Sequence, residues 1–296
     1  MDCEITPIRR IVGHHGPLYA ICVTAEGVYS GGADNQLVFH PHDDQQPSQL
    51  LATFNESIFS IQKTGRFVWV GSFSGHCYQI NLSTSQVNKW QAHQGPIFAI
   101  ESLKDDWMAT AGADGKIHIW DLVTSKIIRT VWLGDFKIRS LHFSKDDNTL
   151  LVGCGNGSLV ILDFPWFNTL HEWKIQDDAC YGAVHYPEKK IWISAHKSGQ
   201  LQFWKSEESH SILQLQVHLG SVYGIQLDRK NGVIYTVSQD KSLKVWSLES
   251  LTLLNKWDHW EGQSYRSINK MELFEDKLIL AGDNSKIDVL KICFFR

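Results

Sequence analysis

Short runs of alternating apolar and polar residues, separated by turn residues, dominate the chain. The clearest runs lie in residues 110–121, which read Thr-Ala-Gly-Ala-Asp-Gly-Lys-Ile-His-Ile-Trp-Asp. Ile117 and Ile119 alternate with polar neighbours, as in a strand that buries one face. Asp114-Gly115 tolerates positive φ and closes a tight hairpin. The pattern therefore predicts two antiparallel strands, a unit too small to fold alone.

The same pattern recurs along the chain at a nearly constant spacing. The position of Asp114 is occupied in turn by Asp34, Ser74, Asp114, Asn156, Ser198, Asp240 and Asn284. Neighbouring members are separated by 40, 40, 42, 42, 42 and 44 residues. A β-patterned repeat of about 40 residues is typical of a propeller blade. The sequence therefore predicts an all-β fold, a seven-bladed β-propeller of four-stranded antiparallel blades, as a single domain over residues 1–296.

Two further columns of the repeat change together. The column before the turn contains Ser30, Val70, Thr110, Val152, Ser194, Thr236 and Leu280. The column after the turn contains His40, Ile80, Trp120, Leu162, Trp204, Trp246 and Leu290. A buried hydroxyl and a buried indole N–H each need a partner, so replacing both by hydrocarbon leaves neither unpaired. We call the contact between these two columns the joint of a blade. Blades 2, 4 and 7 are therefore predicted to have an apolar joint.

With its upstream histidine, the third blade resembles one repeat of the WD-repeat family of β-propellers. The residues that carry the resemblance are His93, Thr110, Asp114 and Trp120, and in blade 6 they are His218, Thr236, Asp240 and Trp246. The resemblance implies that each set forms a hydrogen-bonded chain. Blade 1 departs from the pattern with His40 in place of tryptophan, and blade 5 keeps only Ser194 and Trp204.

The ends of the chain suggest how the ring closes. Six residues follow Leu290, too few for a fourth strand after a turn, and the residues before Gly13 belong to no other blade. The resemblance implies that an N-terminal strand, about residues 5–12, completes blade 7 and removes the free sheet edges. The aromatic ends of the outer strands, Phe54, Trp90, Trp132, Trp173 and Trp257, are interpreted as packing between blades.

Composition limits the class of protein. The 296 residues are 43% hydrophobic and 20% charged, as in an ordinary globular protein with a sizeable core. A net charge of −4 argues against a dedicated nucleic-acid binder. The N-terminus lacks the features of a signal peptide and no apolar run approaches the length of a membrane span, so we expect a soluble protein. The six cysteines form no Cys-x-x-Cys pair, which suits free thiols in the cytoplasm.

The sequence offers no catalytic motif, metal site or cofactor site. The 14 histidines show no ligand spacing, and the repeat positions account for His14, His93 and His218 as structural links. There is no P-loop, nucleophile elbow or zinc-protease motif. Four acidic pairs, Asp43-Asp44, Asp105-Asp106, Asp146-Asp147 and Glu207-Glu208, fall in turns and are interpreted as solvated turn residues.

Two functions remain open. The first is a non-enzymatic scaffold or adaptor that presents its loops to a protein or peptide, as the resemblance implies. The second is a small-molecule or hydrolytic site at the mouth of the central channel, which several acids or histidines converging from the inner strands would indicate. The core positions of the inner strands offer aromatic residues and two arginines instead, which favours the scaffold. Fold alone does not fix function.

The resemblance also indicates which residues face the mouth of the channel. They follow the apolar start of each inner strand: Tyr19, Phe59, Phe98, Arg139, Tyr181, Tyr223 and Arg266. Phe73 and Lys197 adjoin the turns of the same face. Aromatic residues and arginine anchor interfaces, and arginine pairs with carboxylate or phosphate. We expect a peptide with an apolar anchor and an acidic or phosphorylated group, the alternative being that the aromatics fill the core.

Overall fold

Seven four-stranded antiparallel sheets form the molecule. The computed structural model describes residues 2–104, 106–260 and 263–295. In each blade the strands run from the inner strand a to the outer strand d. Asp105 of the second acidic pair lies outside the described residues.

The first four blades contain strands β2–β17 in chain order. Blade 1 consists of β2 (Leu18–Val23), β3 (Gly27–Gly32), β4 (Gln36–Pro41) and β5 (Gln49–Thr53). Blade 2 consists of β6 (Ile58–Thr64), β7 (Phe67–Ser72), β8 (His76–Asn81) and β9 (Val87–Gln91). Blade 3 consists of β10 (Ile97–Ser102), β11 (Trp107–Gly112), β12 (Lys116–Asp121) and β13 (Lys126–Trp132). Blade 4 consists of β14 (Ile138–Ser144), β15 (Thr149–Cys154), β16 (Ser158–Asp163) and β17 (Thr169–Lys174).

The remaining blades complete the ring. Blade 5 consists of β18 (Cys180–Tyr186), β19 (Ile191–His196), β20 (Gln200–Trp204) and β21 (Leu213–Gln216). Blade 6 consists of β22 (Val222–Asp228), β23 (Val233–Ser238), β24 (Leu243–Ser247) and β25 (Leu253–Trp257). The short pair β26 (His259–Trp260) and β27 (Gln263–Ser264) precedes blade 7, which consists of β28 (Ile268–Phe274), β29 (Lys277–Gly282), β30 (Lys286–Phe295) and the N-terminal β1 (Asp2–Val12).

The N-terminal strand closes the ring, as the sequence predicted. β1 pairs antiparallel with β30 from Asp2 opposite Phe295 to Val12 opposite Lys286. Arg10 of β1 donates from Nε to Asp288 Oδ1 at 2.6 Å, and the Asp288 side chain is fully buried. Blade 7 therefore holds together residues from both ends of the sequence.

Buried apolar side chains lie between the blades. Among the described residues they form seven clusters, one at each junction of neighbouring blades, including the junction of blades 7 and 1. Trp132 departs from its predicted role, because 60% of its surface is exposed. Val131 lies opposite the buried Ile117 in the register, and strand alternation directs the next residue, Trp132, outward.

Helical structure is nearly absent from the described part of the chain. It comprises the single 3₁₀ turn Pro187–Lys189, between strands a and b of blade 5. None of the described residues forms a helix with the length and apolar character required to cross a membrane.

Candidate functional site: the mouth of the central channel

A β-bulge at the start of every inner strand directs one side chain per blade to the mouth of the channel. In each blade the register between strands a and b skips one residue: Tyr19, Phe59, Phe98, Arg139, Tyr181, Tyr223 and Asn269. A bulge leaves its extra residue outside the ladder and reorients the side chain. We call these seven residues the collar.

The structure corrects the sequence prediction in blade 7, where Asn269 occupies the place assigned to Arg266. Strand a begins at Ile268, opposite Gly282, and not at Tyr265. The connection to strand b contains only Glu275 and Asp276, whereas blades 3 to 6 use four residues, so strand a begins closer to the turn at Asn284. Arg266 is exposed, and its backbone N–H donates to Asp283 Oδ1 at 2.8 Å.

Six members of the collar form a continuous arc of ring contacts. Tyr19 stacks on Phe59 with centroids 5.0 Å apart, and Phe59 meets Phe98 edge-on at 5.8 Å. The Arg139 guanidinium lies 4.6 Å from the Phe98 ring centroid and 5.5 Å from that of Tyr181. Tyr181 and Tyr223 meet edge-on at 5.3 Å. All seven collar side chains are half-buried.

Asn269 closes the gap between the ends of this arc. Its Nδ2 donates to the Leu18 carbonyl of blade 1 at 2.9 Å, while its Oδ1 accepts a hydrogen bond from Ser267. Together with Lys270, the collar lines a cavity of about 260 Å³. The mouth of the channel is therefore a shaped, partly apolar recess.

The two other predicted contact residues lie outside this cavity. Phe73 is 56% exposed, and its ring centroid lies 5.9 Å from that of Phe59, so it extends the aromatic arc. Lys197 is exposed in the turn before Ser198. Leu219, which the sequence reasoning missed, is 96% exposed beside the Asp240 turn.

Below the collar the inner strands bring acids and a histidine into the channel, contrary to the sequence reasoning. A second cavity of about 200 Å³ is lined in part by Gln62, Glu101, His142, Gln226 and Glu272. Each lies four residues after the start of its strand a. The residues at this fifth position of strand a could have indicated polar groups in the channel. The sequence prediction considered only the first positions of the inner strands.

The two channel glutamates link neighbouring blades. Glu101 Oε1 accepts from the Phe143 backbone N–H of blade 4 at 2.9 Å, and Glu272 Oε2 accepts from Val23 of blade 1 at 2.7 Å. Burial raises the pKa of each carboxyl to about 7, against the lowering effect of these N–H donors. Desolvation inside the channel lowers the pKa of His142. The channel acids are thus tied to the backbone of the next blade.

Histidine-centred hydrogen bonds join strands within the blades that match the repeat fully. In blade 3, His93 Nδ1 lies 2.9 Å from Asp114 Oδ1 and its Nε2 lies 2.9 Å from Thr110 Oγ1, which also accepts from Trp120 Nε1 at 3.0 Å. Asp114 can only accept, so His93 donates to it from Nδ1, and Thr110 can donate its one proton to Nε2 while it accepts from Trp120.

Blade 6 repeats this arrangement. His218 lies 2.8 Å from both Asp240 Oδ2 and Thr236 Oγ1, and Trp246 Nε1 donates to Thr236 at 3.1 Å. Burial lowers the pKa of His218 and keeps it neutral. Burial alone would raise the pKa of Asp114, but hydrogen bonds from His93 and from backbone N–H groups lower it to about 2.

The two irregular blades preserve the joint with other residues. In blade 1, His40 takes the place of tryptophan and its Nε2 lies 2.8 Å from Ser30 Oγ, which in turn contacts His14. In blade 5, His196 from strand b lies 2.7 Å from Ser194 Oγ and 3.0 Å from the Asp178 carbonyl. The sequence comparison missed His196 because it looked for histidine only before strand a.

The apolar joints are buried, but two of these blades have polar clusters elsewhere. Val70, Ile80, Val152, Leu162, Leu280 and Leu290 are all buried. In blade 2, Glu56 Oε1 accepts from Tyr78 at 2.7 Å and lies 2.6 Å from His76 Nδ1. In blade 7, Tyr265 donates to Asp288 at 2.6 Å beside Arg10. The polar links have therefore moved along the strands rather than disappeared.

One cluster has the composition of a metal site. His93, Asp114 and His118 place possible ligand atoms within 4.8 Å of one another. Both nitrogens of His93 already take part in the blade 3 chain, and His118 Nδ1 lies 2.8 Å from Thr130 Oγ1. These hydrogen bonds account for the cluster as a structural joint.

On the opposite face, two of the predicted acidic pairs are engaged in ion pairs instead of being simply solvated. Asp44 Oδ1 lies 2.5 Å from Arg9 Nε. Asp146 Oδ2 lies 2.7 Å from Arg229 Nη1, and Asp147 pairs with His185. Arg229 also pairs with Glu188. Turns of blades 4, 5 and 6 are thereby connected.

Comparisons with known proteins agree with this geometry. The family model described as WD domain, G-beta repeat, matches residues 84–121 and 209–247, which contain the joints of blades 3 and 6. A second model, the anaphase-promoting complex subunit 4 WD40 domain, matches residues 104–189. The chain is a WD-repeat β-propeller. WD-repeat propellers are generally protein-interaction scaffolds.

Relatives of this WD-repeat propeller are distant. Human Striatin-4 is 22% identical over an alignment of 300 residues, covering 94% of this chain and 35% of Striatin-4. Eukaryotic translation initiation factor 3 subunit I of Bombyx mori is 22% identical over 230 residues, covering 71% of this chain and 66% of that protein. This chain thus spans about a third of the first relative and about two thirds of the second.

A solved structure shows the same fold. The WD40 beta propeller domain of Doa1 superimposes on this WD-repeat propeller with a TM-score of 0.84 at 14% identity, covering 97% of both chains. At this identity the likeness concerns the fold alone.

Proposed function

We propose that this protein is a non-enzymatic scaffold or adaptor that binds a peptide segment of a partner protein at the collar. The observation that carries the proposal is the arc of aromatic rings and Arg139 around a recess of about 260 Å³. Tyrosine and arginine are enriched among the residues that dominate binding energy at interfaces. The bulges fix these side chains before binding, which reduces the entropy lost on association.

The collar supplies a site for an apolar side chain of the peptide, and cations lie in it and near it. Phe73 extends the aromatic surface, while Lys197 and Arg266 are exposed outside the cavity. Arg139 offers donors for an anionic group of the peptide. We therefore propose Tyr19, Phe59, Phe73, Phe98, Arg139, Tyr181, Lys197, Tyr223 and Arg266 as contact residues, with Asn269 holding the collar together. The preferred peptide combines an apolar side chain with an acidic or phosphorylated group.

The alternative, a small-molecule or hydrolytic site, draws on Glu101, Glu272 and His142 in the channel. Both carboxylates already accept backbone N–H bonds from the next blade, which supports a structural role for them. A general base would instead need to reach a substrate proton. The scaffold proposal accounts for both the collar and the acids.

Two further observations support the setting that we propose. The names of eukaryotic translation initiation factor 3 subunit I and of the anaphase-promoting complex subunit 4 domain identify subunits of larger assemblies. All six cysteines are free thiols, which favours a reducing compartment such as the cytoplasm.

The test compares partner recovery by wild type and by collar variants. Tyr223→Ala and Arg139→Ala, each with a melting temperature close to that of wild type, should recover at least tenfold less partner from native extract. Asp135→Ala, which removes an exposed carboxylate, serves as the control. Equal recovery by all three folded variants would exclude the collar as the site.

A further inference from the structure

A lysine projects into the channel where the other blades have small residues. The third position of strand a is occupied by Ala20, Ser60, Ala99, Ser140, Gly182, Gly224 and, in blade 7, Lys270. Six small residues leave the space that one long side chain fills. Lys270 is half-buried and lines the collar cavity.

Lys270, Arg139 and Phe98 separate the collar cavity from the channel below. These three side chains line both cavities, so they form the floor of the upper one and the roof of the lower one. The floor therefore carries two positive charges and one aromatic ring. No acidic residue lines the upper cavity among the described residues.

Neither cation forms an ion pair or hydrogen bond with an acid within the described part of the chain, and Glu272 acts on Lys270 only through its charge. Arg139 Nε is buried without a hydrogen-bond partner, and the guanidinium contacts only the Phe98 and Tyr181 rings. Lys270 forms no ion pair or hydrogen bond there. Burial lowers the pKa of Lys270, and Glu272 offsets this only partly. An anion in the upper cavity would supply the missing partner for both groups.

The size and the partly apolar lining of the cavity favour a carboxylate over a phosphate. A cavity of about 260 Å³ is smaller than most sites for drug-sized ligands, about 300–1,000 Å³, and accommodates one side chain. The attraction to Lys270 and Arg139 doubles for a dianionic phosphate, but the Born cost of removing a charge from water rises with the square of the charge. A partly apolar recess therefore favours the singly charged carboxylate.

We propose that the collar cavity binds one aspartate or glutamate side chain of the partner peptide, which enters between the aromatic rings and pairs with Lys270 and Arg139. This inference rests on the proposed function and names the chemistry of its ligand. The aromatic rings around the carboxylate exclude water and strengthen the charge pair. Lys270 thereby sets the specificity of the site.

The experiment uses capped octapeptides that vary at seven positions and carry glutamate, glutamine or phosphoserine at one fixed central position. Binding to the full chain is measured on an array, and the strongest sets are measured in solution by fluorescence anisotropy. Wild type should bind glutamate peptides at least tenfold more tightly than their glutamine counterparts and at least as tightly as the phosphoserine ones. Lys270→Met should reduce the glutamate preference to less than twofold.

Three controls separate charge from folding. Lys270→Arg should keep the preference, since it retains the charge. Lys205→Met, which removes an exposed cation between strands c and d of blade 5 and outside the proposed contact residues, should leave it unchanged. Each variant is used only after its thermal unfolding matches that of wild type; if Lys270→Met does not fold, Arg139→Gln takes its place with the same expectation.

The outcomes distinguish this inference from the proposed function. If Tyr223→Ala abolishes peptide binding while glutamate and glutamine bind wild type equally, the collar is the site but the carboxylate assignment is wrong. A tenfold preference for phosphoserine also overturns it. If no peptide in the library binds wild type, both proposals fail.

Discussion

At the scale of single residues, hydrogen-bond direction explains why histidine recurs in the blades. The indole of Trp120 can only donate and the carboxylate of Asp114 can only accept. Each residue between them must therefore accept a hydrogen bond from one neighbour and donate one to the next. Thr110 accepts from Trp120 and can donate its one proton to His93 Nε2, while His93 donates from Nδ1 to Asp114. In blade 6, burial lowers the pKa of His218 and so favours the neutral imidazole that can accept from Thr236.

Removing the acceptor at the end of this chain should destabilise the protein. Asp114→Ala leaves a buried imidazole N–H unpaired, and Asp240→Ala leaves His218 Nδ1 only the longer contact with Ser242 Oγ at 3.2 Å. We expect a loss of about 1–3 kcal/mol in the free energy of unfolding. Urea denaturation monitored by tryptophan fluorescence measures it. Asp135→Ala, at an exposed position, should change it by less than about 0.5 kcal/mol. An unchanged midpoint for either buried aspartate would contradict the role assigned to that joint.

The channel glutamates predict a pH dependence. Glu101 and Glu272 have pKa values of about 7, above the ordinary glutamate value, so between pH 7 and 8 the folded state binds more protons than the unfolded state. Stability should therefore fall as the pH rises through this window, by about 0.4 kcal/mol per glutamate. Histidines contribute little there, because those with lowered pKa values are neutral when folded and nearly neutral when unfolded.

Urea denaturation at pH 7.0, 7.5 and 8.0 checks this dependence. Glu101→Gln and Glu272→Gln each remove one titrating group, and the double variant should be nearly flat across the window. A wild-type stability that rises from pH 7 to 8 would show that these carboxyls are already ionised at pH 7.

At the scale of strands and turns, the b–c hairpins are the most constrained elements. The residue after each turn column has positive φ: Asn35, Gly75, Gly115, Gly157, Gly199, Lys241 and Ser285. At Gly115 a Cβ atom would lie 1.8 Å from the Gly134 carbonyl oxygen, so the turn also packs against the next connection. Glycine is required there both for its backbone conformation and for lack of space.

Two glycine substitutions separate conformation from packing. Gly115→Ala should lose more than about 2 kcal/mol of stability, because it adds a backbone clash to the cost of a positive φ. Gly65→Ala has φ of +52° but meets nothing within 4 Å, so it should lose only about 1 kcal/mol. Chemical denaturation of both variants gives the difference, and equal losses would show that the close approach at Gly115 relaxes without cost.

The repeat period in the sequence predicted the positions of the b–c hairpins. It did not predict features that vary from blade to blade, such as the start of strand a in blade 7. The turn column located all seven hairpins, because the spacing of strands b and c is nearly constant. The start of strand a in blade 7 was misplaced by three residues, because Tyr265-Arg266-Ser267-Ile268 has the apolar ends and small third residue of the other inner strands, whereas the true strand has Lys270 at its third position. Lys270 escaped notice for the same reason, since the shifted register put Ser267 in the column of small residues.

At the scale of the whole molecule, stability depends on a strand taken from the opposite end of the chain. β1 covers the edge of β30, and Arg10 supplies the cation for the buried Asp288. Removing one partner of a buried ion pair costs about 3–5 kcal/mol, because the remaining charge is uncompensated. A ring also gains its last junction only when the final blade is complete.

Deleting residues 1–12 should therefore abolish the cooperative melt and cause aggregation, since it exposes the edge of β30 and removes the cation that pairs with Asp288. The matched control is a circular permutant that joins Phe295 to Asp2 by a short turn and opens the chain between Gln45 and Gln46. Asp2 and Phe295 are opposite each other in the register, and Gln45 and Gln46 are exposed between strands c and d of blade 1. The permutant keeps all seven sheets, so it should melt cooperatively as a soluble protein. Calorimetry and sedimentation compare the two. A deletion variant that melts at the wild-type temperature would refute the contribution of β1, whereas failure of both proteins would point to blade 1.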